Sequence, residues 1–338
     1  MRILITRTDR IGDVMLSTPV IKAVRDKYPD AYIAFCVGPH AFEIVDKNPY
    51  LNDVIVYDKK GKHKSVFGII RFIFEIKRIK FDMAIILHST NRMNLTCFLA
   101  GIPKRTGYDR KLGFLLTDKI PYTKQEGKKH EMEYTLDVIR HIGIEPSDKR
   151  LYMSLHKDTE KKIKKIFEAH DIHKMNKIVA INPGASCPSK RWPIEYFSEV
   201  VDRLNEEYGA KVIILGGPDS VESVRLLLGN IKTKVIDLTE KTSVSLLAGI
   251  LSKSHLFISN DSGPVHIAVS VGTPVIAIFG RSDEGLSPKR WGPLGPSDIA
   301  LHKDVGCRVC LAHRCDKDFK CLKAITVDEV MEAVEKFL

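Results

Sequence analysis

The side chains able to do chemistry fall in three segments, each beginning where a short apolar run gives way to small and polar residues. In RTDRIGDVMLSTPVIKAVRDKYPDA an apolar run ends near Thr6, and a polar loop leads through Gly12 to Asp13 and an amphipathic stretch. Functional groups collect at the carboxyl ends of buried parallel strands. Asp13 there could take a proton from an attacking hydroxyl, with Gly12 leaving room for a ligand. A helix-start carboxylate favoured by the macrodipole accounts for Asp13 equally well. The loop lacks the three-glycine dinucleotide fingerprint, which argues against an NAD site on the first strand.

The second segment, INPGASCPSKRWPIEYF, runs from an apolar stretch ending at Asn182 through a turn containing Gly184 to Lys190 and Arg191. Small residues let a phosphate approach backbone N–H groups. Lys190 is a compact positive charge suited to a departing diphosphate, whereas Arg191 suits either a ligand or a structural ion pair. The third is FISNDSGPVHIAVSVGTPVIAIFG, in which Asn260-Asp261-Ser262-Gly263 separates an apolar run from a small-residue helix. A helix N-terminus directs free N–H groups at the preceding loop. Ser262 and the amides from Gly263 to Val265 would then hold phosphate oxygens. Asp261 would accept hydrogen bonds from sugar hydroxyls, and His266 would face the same place one turn in. The plain alternative is that Asp261 or Ser262 caps the helix and His266 is structural. Between these segments, LGGPDSVES brings Gly216 and Gly217 to a strand end, followed by Glu222, which reads as a ribose contact or as a solvated helix carboxylate.

The elements that must position these residues are visible as continuous apolar runs. They are Ile3 to Thr6, Ala31 to Val37, Val54 to Tyr57 and Met83 to Leu87, then Ile178 to Ile181, Lys211 to Leu215, Lys234 to Ile236, Leu256 to Ser259 and Val275 to Phe279. Unbroken runs suit parallel strands buried on both faces, and helix-length stretches such as Glu195 to Glu207 separate them. The pattern predicts an α/β protein of two doubly wound, Rossmann-like domains, 1–154 and 155–338, the second opening on a helix that carries Ile163, Ile166 and Phe167. Thr326 and Glu329 have capping-box spacing at the start of a terminal helix whose apolar stripe could pack back on the first domain.

With 338 residues and 44% hydrophobic composition the chain can bury two ordinary cores, and its net charge of +11 favours an anionic partner. Charge interrupts the first apolar run at once, so neither a signal peptide nor a membrane-spanning helix is expected, and the expected location is cytoplasmic. No aromatic-basic recognition motif is present, and nucleic acid is not an expected partner. The stretch KKGKHKSVFGIIRFIFEIKRIK reads either as a core helix with a solvated basic face or as a surface that rests on an anionic membrane. Cys307, Cys310, Cys315 and Cys321 have spacing that would permit zinc, while reduced thiols or an oxidation disulfide are the plainer expectation.

Taken together, RTDRIGDVMLSTP, NPGASCPSKRWP and NDSGPVHIAVSVGTPVIAIFG resemble glycosyltransferase family 9, the ADP-heptose lipopolysaccharide heptosyltransferases, through nearly the whole chain. The cysteine-bearing tail is similar to that of the heptosyltransferase II branch. The resemblance implies a GT-B fold with the two domains facing a central cleft, the acceptor on the N-terminal half and the nucleotide sugar on the C-terminal half. It implies inverting transfer with Asp13 as base and Lys190 stabilising the ADP leaving group. Asn182, Gly184, Arg191, Gly216, Glu222, Asp261, Ser262, Gly263 and His266 become donor-binding candidates. Arg10, Gly12, Lys62, Lys64 and Arg105 become acceptor-binding candidates. The expected partners are an ADP-sugar and an acidic glycolipid, the lipid A–Kdo core, with peripheral contact at the inner membrane. No cofactor is expected, and turnover should be metal-independent, since a helix N-terminus with Lys190 can replace a divalent cation. Transfer from another nucleotide sugar, or to another glycan acceptor, and nucleotide-sugar epimerisation are the alternatives.

Overall fold

A computed structural model describes residues 1–155, 157–307 and 309–338. The chain divides into two compact units, Met1–Ser154 and Leu155–Leu338. The first runs β1 (Arg2–Arg7), α1 (Ile11–Met15), α2 (Thr18–Lys27), β2 (Tyr32–Val37), α3 (Phe42–Val45), β3 (Asp53–Val56), α4 (Val66–Ile79), β4 (Met83–Ile86), α5 (Asn91–Leu99), β5 (Lys104–Tyr108), β6 (Asp118–Ile120) and α6 (Glu131–Arg140). The second opens with α7 (Lys157–Ala169), β7 (Ile178–Asn182), α8 (Ile194–Tyr208), β8 (Lys211–Ile214), α9 (Val221–Asn230), β9 (Ile236–Asp237) and α10 (Val244–Leu251). It continues with β10 (Leu256–Asn260), α11 (Gly263–Ser270), β11 (Val275–Phe279), α12 (Pro288–Trp291), β12 (Ile299–His302), α13 (Lys320–Lys323) and α14 (Val327–Val334).

Each unit holds one six-stranded sheet, ordered β3-β2-β1-β4-β5-β6 in the first and β12-β11-β10-β7-β8-β9 in the second. Counted from the first strand of its own unit, the second sheet has the same order as the first, and all the pairings in both are parallel. This is the doubly wound arrangement, in which the order reverses beside the first strand and ligands bind outside the carboxyl ends at that point. The switch falls between β1 and β4 in one unit and between β7 and β10 in the other. The central strands are buried throughout, as β4, β10 and β11 show, because helices cover both faces of a parallel sheet.

The apolar runs mark nine of the strands to within a residue or two. β5, β6 and β12 escape that reading, since sequences such as KRTGY and DKI carry exposed polar side chains at or near sheet edges. The terminal helix is α14, begun by the full Thr326–Glu329 capping box. Its apolar stripe is spent within the second unit, where Val330, Met331 and Val334 join Phe197, Val201 and Leu204 in one core. Trp192 belongs to that core and ties it to the chain end through its indole N–H, which donates to the Ile325 carbonyl at 2.9 Å.

Both tryptophans, Trp192 and Trp291, lie in the second unit, so their fluorescence follows its unfolding. Met331→Ala should lower the urea stability of that transition by about 2–4 kcal/mol through the cavity it leaves, and Thr326→Ala by about 1 kcal/mol through the lost cap.

Candidate active site

In the first unit the strand-end chemistry is organised by a residue that the sequence motifs leave in the background. Arg7, the last residue of β1, is buried, and its Nε donates to Asp9 Oδ1 at 2.8 Å. Its Nη2 donates to Asp13 Oδ1 at 2.5 Å and to Glu131 Oε1 at 3.1 Å. Nη1 reaches the Leu87 carbonyl and the Thr135 hydroxyl, each at 3.5 Å. Lys124 pairs with the same Glu131 oxygen at 2.7 Å, and His88 Nδ1 lies 3.3 Å from Asp9. Strand β1, the segment after β4 and helix α6 thus converge on one guanidinium.

Two cations therefore face three carboxylates in a buried space, while burial pushes the His88 pKa down and favours its neutral form. Burial opposes the Arg7 charge, but Asp9, Asp13 and Glu131 outweigh it and hold the guanidinium protonated. The surplus negative charge is felt at Asp13, whose pKa is pushed up to about 6, first by burial and then by Asp9 and Glu131, against the pull of Arg7. A carboxylate so poised can accept a proton near neutral pH. Asp13 lies in the first turn of the short α1, and its carboxylate is committed to Arg7.

The remaining first-unit candidates are arranged differently. Gly12 is buried within α1 beside Asp13, and Arg10 is the exposed N-cap residue of that helix. Lys62 and Lys64 are exposed before α4, with Lys62 3.4 Å from Glu75. Arg105 is in β5, its Nε donating to the Leu115 carbonyl at 2.7 Å and its Nη1 to the Ile102 and Pro103 carbonyls. Those bonds make it a brace for the turn that leads into β6.

In the second unit, Asn182 stands at the end of β7 with both ends of its amide engaged. Nδ2 donates to Ser262 at 3.1 Å and to Ser259 at 3.4 Å, and Oδ1 accepts from the Gly184 N–H at 3.2 Å and the Ser220 hydroxyl at 3.4 Å. Asn260 completes the clamp, accepting from the Trp192 N–H at 3.0 Å and donating to the Pro183 carbonyl at 2.7 Å. The two asparagines fix the loops after β7, β8 and β10 to one another. Gly184 and Gly216 serve that packing: a Cβ at Gly184 would fall 1.8 Å from the Ser220 hydroxyl oxygen, and one at Gly216 2.6 Å from the Ser220 Cβ. Gly217 is the glycine that faces open space.

Lys190 Nζ pairs with Asp261 Oδ2 at 2.7 Å, both side chains nearly buried. Ser262 occupies the N-cap position of α11 without a side-chain capping bond, its hydroxyl being shared with Ser259 and Asn182. Pro264 brings no N–H, and the Val265 N–H donates to the Ser262 carbonyl at 3.2 Å. Of the three amides expected to hold phosphate, that of Gly263 therefore remains. His266 is buried in α11. Arg191 donates to the Ala185 carbonyl at 3.0 Å, and Glu222 is exposed in the first turn of α9.

The sequence segments also passed over Arg281, which follows β11. It is buried, with Nε donating to the Ser189 hydroxyl at 3.0 Å and Nη2 to the Cys187 sulfur at 2.6 Å. Among the described residues no carboxylate lies within ion-pair distance of it. The four C-terminal cysteines are half-buried free thiols, and among the described residues no group of three or more His, Cys, Asp or Glu is placed to hold a metal ion.

The sequence profile of glycosyltransferase family 9 (heptosyltransferase) matches residues 69–320, which include Lys190, Asp261 and Arg281. The chain belongs to this family. It is 28% identical to lipopolysaccharide heptosyltransferase 3 of Escherichia coli K12 across 97% of this chain and 95% of that one. A glycosyltransferase family 9 crystal structure from Veillonella parvula superposes with a TM-score of 0.87 at 27% identity, covering 99% of this chain and 96% of that one. E. coli ADP-heptose lipopolysaccharide heptosyltransferase II superposes with a TM-score of 0.82 at 21% identity, covering 100% and 98%. The protein is thus a glycosyltransferase of GT-B fold, built from two Rossmann-like units.

In this glycosyltransferase the two buried arginines differ in their surroundings, and their removal should differ accordingly. Arg7→Met takes the cation from buried Asp13 and a partner from Asp9 and Glu131, and should destabilise the protein by about 3–5 kcal/mol. Arg281→Met removes a charge that burial disfavours and leaves only a hydroxyl and a thiol behind, so thermal unfolding should show little loss of stability or a gain.

Proposed function

We propose that this family 9 enzyme transfers heptose from ADP-heptose to the inner core of lipopolysaccharide, an acidic glycolipid acceptor of the lipid A–Kdo type, on the cytoplasmic side of the inner membrane. The observation that carries the reading is the buried carboxylate cluster around Arg7, which gives Asp13 the proton affinity of a general base at physiological pH. Asp13 takes the proton of the acceptor hydroxyl as the oxygen attacks the anomeric carbon. The bond from that carbon to the diphosphate breaks on the opposite side, ADP leaves with the electron pair, and the configuration inverts.

The second unit supplies the leaving-group chemistry. Lys190, Arg281 and the Gly263 amide provide positive potential at the strand ends, with Asp261 paired to Lys190. A diphosphate engaging Lys190 frees Asp261 for the sugar hydroxyls, while Asn182 and Gly184 keep the loops in register. On this reading His266 of α11 and Glu222 of α9 also contact the donor, and Gly216 lets its loop pack against Ser220. Fixed cations at the diphosphate make turnover independent of a divalent metal. The acceptor follows two relatives, both lipopolysaccharide heptosyltransferases, and the donor follows the one that is an ADP-heptose enzyme.

Calorimetry with ADP, UDP and GDP in EDTA, combined with a transfer assay from ADP-heptose to Kdo-terminated lipid A, tests this. ADP should bind in preference, and Asp13→Asn should cut transfer by about 100-fold or more while ADP affinity stays within about twofold. Arg281→Met should weaken ADP by about tenfold or more. Preference for UDP or GDP, or full transfer by Asp13→Asn, would overturn the donor or the base respectively.

A further inference from the structure

Helix α4 carries two apolar faces where a globular helix needs one. Phe72, Ile73 and Ile76 are buried in the first unit's core, with Ile69 packed against them. Phe67, Ile70 and Phe74, spaced three and four residues apart on the opposite side, are exposed, Phe67 by 85%. The surface extends beyond α4. Helix α5 packs beside α4 and exposes Leu95, Phe98 and Leu99, and Phe114, in the turn against α5, is 72% exposed. A contiguous apolar surface of this kind marks an interaction site.

Its surroundings specify the partner. Residues 59–80 contain eight Lys and Arg and a single carboxylate, Glu75, which is itself paired with Lys62 and Arg71. Arg71 and Arg78 flank the exposed Phe67, Ile70 and Phe74, and the Arg105 guanidinium lies over the Phe98 ring at 5.5 Å. Exposed Arg92, Lys104 and Lys111 continue the cationic border around α5. Exposed aromatic and aliphatic side chains flanked by cations match a bilayer interface of anionic lipid, the rings entering the acyl boundary and the cations meeting headgroup phosphates. A second copy of the chain would set this positive border against itself. No helix among the described residues is long and apolar enough to cross a membrane.

We propose that the α4–α5 face docks the enzyme on an anionic lipid bilayer, with Phe67, Ile70 and Phe74 inserted at the interface. The proposal deepens the glycolipid-acceptor reading by giving the enzyme a means of residing where such an acceptor is anchored, yet its test requires no transfer.

Purified full-length protein is floated with vesicles of phosphatidylethanolamine and phosphatidylglycerol, or of phosphatidylcholine alone, at low and high salt. Co-flotation should occur with phosphatidylglycerol vesicles, fall with salt, and be weak with phosphatidylcholine. Phe67→Ser with Phe74→Ser, and separately Lys77→Gln with Arg78→Gln, should each weaken binding about tenfold or more. Unchanged melting temperature and ADP affinity in these surface variants would show that the folded enzyme was tested. Absence of co-flotation, equal binding to phosphatidylcholine, or wild-type binding by the Phe variant would overturn the proposal. So would a dimer in light scattering that the Phe variant converts to monomer. Vesicle binding with no transfer to a Kdo-terminated acceptor would leave the docking intact and remove the acceptor reading instead.

Discussion

Burying a guanidinium at the end of β1 obliges the chain to bring carboxylates to it, and the first unit's site is the consequence. Asp9 and Asp13 come from the loop that follows the strand, Glu131 comes from α6, and Lys124 returns part of the negative charge by pairing with Glu131. An unpaired buried charge is costly, so the cluster forms with the fold or the strand end does not pack. Burial raises Asp13 first, and the negative charges of Asp9 and Glu131 add to it against the pull of Arg7. One electrostatic constraint thus places the Asp13 carboxylate, the base of the proposed mechanism, and bears on its proton affinity.

The second unit repeats the sheet order and reverses the sign. Its strand ends carry Lys190, paired with Asp261, and the buried Arg281, bonded to Ser189 and Cys187, beside a neutral network of asparagines and serines. Neutral clamps suit a site that must stay ordered while an anion arrives and departs, since their hydrogen bonds do not compete for the charge. One topology therefore sets a carboxylate-rich cluster at the strand ends of one unit and buried cations at those of the other, the two chemistries that the proposed transfer uses.

Strands such as β4 and β11 were legible because burial on both faces leaves unbroken apolar runs, whereas the edge strand β6, with the sequence DKI, has no such constraint to write. Asp13, Lys190 and Asp261 stood out because local chemistry follows a strand end within a few residues. Glu131 did not, since it meets Arg7 from 124 residues away and nothing near it in sequence announces the pairing. Arg281 hid in GRSD, where a charged residue after a strand looks like an ordinary loop cation until its burial is seen. Arg105 shows the reverse: a cation that looks free in the sequence donates to backbone carbonyls in the fold.

The most direct test of the electrostatic account is the pH dependence of kcat/KM in the wild type and in Glu131→Gln. The base must be ionised to act, so the wild-type rate should fall as pH drops through about 6, the value to which Asp13 is raised. Glu131 helps to raise it, so removing that charge should move the acidic limb to lower pH while the KM for the nucleotide sugar stays put. A limb that does not move, or that moves to higher pH, would contradict the claim that the Arg7 cluster sets the base.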